Sequence, residues 1–150
     1  MKPVIILITV FAVALFVSRP VTGDWQLIFA GNLGMCCMLC FTALGHFLFP
    51  KGMTMMMPPV IPFKTAMVYI TGVAEIIMGI SLMIPSLREM TGYTAIIFFI
   101  LIFPANVYAT IKHVDLEKAT YGGPGPRYLW FRVPEQLLFI AWVYFFAIGF

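Results

Sequence analysis

Between Phe63 and Ile84 the chain runs about 22 mostly apolar residues, long enough to cross a bilayer, with one carboxylate, Glu75, near the middle. On a helix, Thr71, Gly72 and Gly79 share the face of Glu75, while Ile70, Val73, Ile77, Ile80 and Ile84 lie opposite. Small residues let a second helix approach closely, and a branched apolar stripe suits lipid. The carboxylate therefore points into a bundle. An ionisable group at that depth costs roughly 2.5–3.5 kcal/mol on insertion scales, which makes Glu75 a functional-site candidate. An interhelical hydrogen bond is the structural reading of the same residue.

The rest of the chain repeats the constraint. Of its 150 residues, 62% are hydrophobic and 10% charged, too few polar groups to cover a water-soluble globule. In lipid only helices or closed barrels satisfy the backbone, and these runs have helix length without alternation of period two. The expected class is all-α, a polytopic membrane helix bundle whose partner is the lipid bilayer. The net charge of +3 comes from residues in connecting segments, and no basic-aromatic patch suggests nucleic acid.

Helices are expected at about 2–18, 25–49, 63–84, 90–111 and 130–149, forming a single transmembrane domain over 1–150. For residues 1–23 two readings stay open. Lys2, the apolar run from Val4 and Val21-Thr22-Gly23 fit a cleaved signal peptide. Arg19 and Pro20 are awkward in a cleavage region and favour a retained helix, which rises roughly 25 Å from Lys2 to Arg19. Thr22-Gly23-Asp24 supplies an N-cap for the second helix, with Trp25 at the interface. Met53–Pro62 carries too many prolines for a long helix and reads as an interfacial or re-entrant connection. Pro104 frees the carbonyl of Ile100 and predicts a kink in the fourth helix.

Counting Lys and Arg by side places Lys2, Lys51, Lys64, Lys112, Lys118, Arg127 and Arg132 against Arg19 and Arg88. That asymmetry orients the amino terminus and both long loops toward the cytoplasm. Measured inward from that side, His46 and Gln136 lie about 6 Å deep, Asn106 about 9 Å and Glu75 about 16 Å. The four form a graded polar track, read as a cytoplasm-open pocket with Glu75 at its floor and these residues as ligand-binding. Scattered hydrogen bonds between helices are the alternative, each worth about 0.6 kcal/mol. Lys64 and Lys112 snorkel to the interface, and His46 is too shallow for direct pairing. Glu75 is therefore expected to donate a hydrogen bond toward Asn106 or the Ile100 carbonyl.

Cys36, Cys37 and Cys40 invite a redox reading. Within a helix, however, Cβ atoms three or four residues apart stand about 5–6 Å from each other, and a disulfide needs about 3.5–4.5 Å. Cys36, Cys40 and the Met53–Met57 cluster are soft ligands for Cu(I), but they lie at different depths, so no metal site is assigned. Serine-nucleophile, P-loop and zinc signatures are absent, and no catalytic residue is assigned.

Gly45-His46-Phe47, the Pro-rich Met57–Pro62 segment, Gly72-Val73-Ala74-Glu75-Ile76, Phe103-Pro104-Ala105-Asn106 and Arg132-Val133-Pro134-Glu135-Gln136 together resemble the DoxX-like family of small bacterial membrane proteins. The match covers about Gly31–Phe146, and Glu135 adds a charge to the family pattern. The resemblance implies a four-helix core with an extra N-terminal helix, in a bacterial cytoplasmic (inner) membrane. It also implies a small amphipathic ligand of the quinone class, bound in a subunit of a membrane oxidoreductase system alongside a redox partner. Glu75 then takes a proton or hydrogen bond, Asn106 and Gln136 orient the ligand, and His46 relays protons at the mouth. A non-catalytic membrane scaffold or assembly factor is the alternative. Whether the chain is an enzyme is left open.

Overall fold

A computed structural model describes residues 1–150, which form helices and turns with one isolated antiparallel bridge between Asp115 and Thr120. The helices are α1 (Lys2–Thr22), α2 (Leu27–Leu48), the short α3 (Pro50–Met55), α4 (Lys64–Met83), α5 (Pro85–Ile111) and α6 (Leu129–Val143). A 3₁₀ turn, Pro126–Tyr128, leads into α6, and a π-helical turn, Tyr144–Ile148, extends it. Five of these stretches are long and apolar enough to cross a membrane, compatible with a multi-pass membrane protein. Their outward residues, including Ile70, Ile77, Ile97, Leu101 and Leu137, are exposed apolar side chains that suit lipid contact.

Local chemistry sets where each helix stops. Arg19 and Pro20 do not end α1, which continues to Thr22. It closes on Gly23, in the left-handed region at φ 81°, whose N–H donates to the Arg19 carbonyl at 3.0 Å. Thr22-Gly23-Asp24 is thus a C-terminal stop for α1. The N-cap of α2 is Gln26, without a side-chain hydrogen bond. Pro85 starts α5 five residues before the expected position, because proline is favoured in the first turn, where its missing N–H costs nothing. Pro104 lies inside the continuous α5.

Helix α2 makes its largest interface with α4 and its next with α1. On α4, Gly72, Glu75 and Gly79 are buried, and Ile70, Val73, Ile77 and Ile80 are exposed, as the helical periodicity requires. A Cβ at Gly72 would fall 2.8 Å from that of His46, so only glycine permits the approach. Met38 of α2 is buried in the core with Leu7 of α1, Leu39, Leu82, Phe99 and Phe139.

One end of the bundle collects the connections. Lys2 pairs with Glu117, the backbone at Leu116 presses on Gly52 of α3, and the Met1 amine stands 4.0 Å from Glu135. The loop between α5 and α6 is folded rather than open. Asp115 Oδ1 accepts from the N–H groups of Glu117 and Lys118, and Gly123 N–H donates to the His113 carbonyl at 2.7 Å.

Candidate functional site

The α2–α4 seam assembles Thr42, His46, Val68, Thr71 and Glu75. Glu75 is 4% exposed. Its Oε2 lies 3.0 Å from Thr42 Oγ1 and 3.6 Å from His46 Nε2, the latter beyond hydrogen-bond length but within ion-pair range. On the far side of the ring, His46 Nδ1 is 2.8 Å from the Val68 carbonyl oxygen and 3.1 Å from Thr71 Oγ1. A carbonyl only accepts, so Nδ1 carries a proton and donates it to Val68. The Thr71 hydroxyl donates to the carbonyls of Met67 and Val68, at 2.8 and 3.0 Å.

This fixes what the pair can do. With Nδ1–H committed to Val68, a further proton bound by the pair has two places to sit, His46 Nε2 or Glu75. Both arrangements, imidazolium with carboxylate or imidazole with carboxylic acid, are neutral overall. A net-neutral pair with its outer donors satisfied is the form in which a carboxylate is buried at least cost. Beside His46, the rings of Phe47 and Tyr69 lie 5.8 Å apart, about two-fifths exposed, so the seam opens outward along an aromatic edge.

The four residues expected to form one pocket divide. His46 and Glu75 meet, contrary to the depth estimate that kept them apart. That estimate counted both helices from one plane, whereas His46, two residues from the end of α2, is level with Val68, four residues into α4. Glu75 consequently faces His46 and Thr42, not Asn106 or the Ile100 carbonyl. Gln136 lies on the α5–α6 seam, where Nε2 donates to the Phe99 carbonyl at 2.6 Å beside a cavity of about 190 Å³ lined mostly by apolar residues. Asn106 is half-buried on α5, and its side chain bonds to neither His46 nor Glu75. Helix rise supplies only the axial coordinate of a side chain; the angular one separated these residues.

Thr42 of the seam and the buried Glu135 of α6 were not among the expected site residues, and Thr71 was expected only on the face of Glu75. Thr42 stands one turn before His46, and Thr71 one turn before Glu75. That spacing brings a hydroxyl onto the same helix face, and is the signal that could have found Thr42. Glu135 was noted only as an added charge. Its side chain is 2% exposed, its Oε2 accepts from Arg132 Nη1 at 3.3 Å, and its Oε1 has no hydrogen-bond partner. Arg132 in turn packs 5.5 Å from the Tyr128 ring.

A family model described as a domain of unknown function, DUF8561, matches residues 35–147, and the chain belongs to that family. The match takes in the whole His46–Glu75 seam and leaves α1 outside. It corrects the resemblance to the DoxX-like family, for which no model matches. The motifs behind that resemblance include small residues at a close helix approach, prolines in and between helices and a buried amide on a carbonyl, features that packing selects in small helical membrane bundles. No curated protein matches the chain, and no solved structure does.

Proposed function

We propose that this member of the DUF8561 family works in a membrane, with its amino terminus and both long loops in the cytoplasm. There the His46–Glu75 pair exchanges one proton as a small amphipathic ligand of the quinone class binds at the α2–α4 seam. The observation that carries the reading is the committed Nδ1–H of His46, which leaves its Nε2 facing a carboxyl 3.6 Å away with no other partner. The exposed Phe47–Tyr69 edge offers ring faces against which a planar headgroup stacks. The seven-to-two distribution of Lys and Arg supports the orientation. Electrons for such a ligand come from a partner subunit under this reading.

The test is purification in mild detergent followed by mass spectrometry of the lipid extract. A quinone should accompany the wild-type protein and be lost from His46→Gln and Tyr69→Ala. Absence of any quinone from the wild-type extract overturns the reading.

The close fit of Gly72 against His46, and of Gly79 against the Cys36 backbone, favours a second one. Here the polar cluster is a clasp holding α2 to α4 in a non-catalytic scaffold. The clasp predicts that Glu75→Gln keeps function and that cross-linking captures a stoichiometric partner. Loss of function in a folded Glu75→Gln protein removes it.

A further inference from the structure

The α5–α6 seam holds a buried acceptor that the protein itself leaves unused. Val133, Gln136, Leu137 and Ile140 share one stripe of α6 at helical spacing, and with Ile100 and Phe103 of α5 they line the cavity of about 190 Å³. Five of the six are apolar, so Gln136 is the single polar side chain on its walls. Ile100 and Leu137, 56% and 62% exposed, stand on the outer surface of the bundle, so the cavity opens sideways toward lipid.

Gln136 is 8% exposed. The Phe99 carbonyl only accepts, which fixes how the amide is turned: Nε2 donates to it at 2.6 Å, and Oε1 is left as an acceptor. No donor of the protein bonds to Oε1. The wall of α5 adds a second acceptor of the same kind. Pro104 has no N–H, so the Ile100 carbonyl lacks the donor that a regular helix would supply from position 104. Within a bilayer no water makes good such a deficit, and a buried acceptor left without a donor is costly. The chemistry of the occupant follows. Apolar walls reject an ion, and a wall that offers acceptors favours a molecule that can donate. In size the cavity somewhat exceeds the dry pocket of about 150 Å³ that holds one benzene ring.

We propose that the α5–α6 cavity binds a neutral one-ring hydroxyl compound of the phenol type that enters from the bilayer. The ring lies among Phe103, Val133 and Ile140, and the hydroxyl donates to Gln136 Oε1. The site is separate from the α2–α4 seam and stands whether or not a quinone binds there.

The experiment uses the full chain in detergent, with the isoleucine δ1 methyl groups labelled with carbon-13 for NMR. It is titrated with p-cresol, p-xylene or 4-methylanisole, three substituted toluenes in which the variable group is a hydroxyl donor, a methyl or a methoxy acceptor. Ring currents should move the methyl signals of Ile100 and Ile140. At equal concentration in the micelle, p-cresol should saturate them about fivefold more tightly than either other probe, the scale of one net hydrogen bond. Gln136→Leu should bring the three probes level, while His46→Gln should leave the preference intact. Val133→Trp, which fills the cavity from its rim, should abolish saturable shifts with every probe, and it serves if Gln136→Leu fails to fold. Equal saturation of the wild-type protein by p-cresol and p-xylene overturns the proposal. So does a preference for p-cresol that persists in folded Gln136→Leu, or saturable shifts that persist in folded Val133→Trp. Shifts of the Ile77 methyl, on the outer face of α4, that track those of Ile100 and Ile140 overturn it as well, since the probes would then sit only in the micelle.

Discussion

Glu75 and Glu135 are the same side chain, buried to the same 4% exposure, and held by different kinds of partner. Glu75 lies amid a seam of hydroxyls and an imidazole whose own outer donor is already placed on Val68. Glu135 lies one turn from Arg132 near the amino end of α6, with one oxygen on the guanidinium and the other without a hydrogen bond. The first is held by matched neutral and titratable groups, the second by charge. Low dielectric strengthens both kinds of contact, but it penalises an unmet oxygen far more than a met one. The neighbours of Glu75 are a hydroxyl and an imidazole on the facing helix, whereas those of Glu135 are cations, Arg132 and the Met1 amine.

The largest expected effect comes from removing Arg132. Arg132→Met leaves the buried Glu135 with only the Met1 amine, 4.0 Å away, as a neighbouring cation, a loss that costs about 3 kcal/mol even when partial exposure of the arginine is allowed for. Equilibrium unfolding in mixed detergent micelles should record that loss, and Arg132→Met with Glu135→Leu should recover most of it. A single variant as stable as the wild type would mean that water already satisfies Glu135, and the contrast between the two carboxylates would collapse.

Smaller effects of opposite sign should follow from deleting the carboxylates themselves. Glu75→Leu strands His46 Nε2 and one acceptor of Thr42, and should destabilise the bundle by about 1–2 kcal/mol. Glu135→Leu removes an oxygen that has no hydrogen bond and leaves Arg132 free to reach water, so stability should hold or rise by about 1 kcal/mol. The same unfolding assay reads both. Two variants shifting in the same direction would break the comparison.

The sequence held more of the fold than of the site, for a physical reason. Apolar run length and the absence of period-two alternation dictate helices directly, and the glycine stripe of α4 announces its buried face. Helix ends depended on single residues whose role changes with context. Pro85 opens a helix where it was expected to follow one, and Gly23 closes α1 where a cap for α2 was expected. Glu75 was legible because a lone carboxylate in an apolar run has little else to do. Its partner was not, because pairing His46 with Glu75 requires knowing how far α4 slides along α2, and α3 and the turn at Phe63 set that register. Gln136 stands on the α5–α6 seam, apart from Glu75, because depth along a helix leaves the angle around it open. The family resemblance failed similarly, since it rested on residues that packing alone selects.

The smallest expected effect sharpens the picture of Glu75 most. Thr42 has one hydroxyl proton and two acceptors in reach, the Leu39 carbonyl at 2.9 Å and Glu75 Oε2 at 3.0 Å. If the pair holds the further proton on His46, Thr42 donates to the carboxylate; if it is on Glu75, the carboxyl donates to Thr42, whose own proton returns to Leu39. In either case the hydroxyl contributes one interhelical hydrogen bond, worth about 0.6 kcal/mol in a membrane bundle. Thr42→Val should therefore lose about that much in the unfolding assay, and Thr42→Ser should restore it. The infrared carbonyl region distinguishes the two arrangements. A protonated-carboxyl band that shifts in Thr42→Val and disappears in Glu75→Gln puts the proton on Glu75, and its absence with a shifted carboxylate band puts it on His46. If Thr42→Val alters neither stability nor spectrum, Thr42 is spent on Leu39 alone. Glu75 would then be held by His46 only, closer to the condition of Glu135 than the geometry implies.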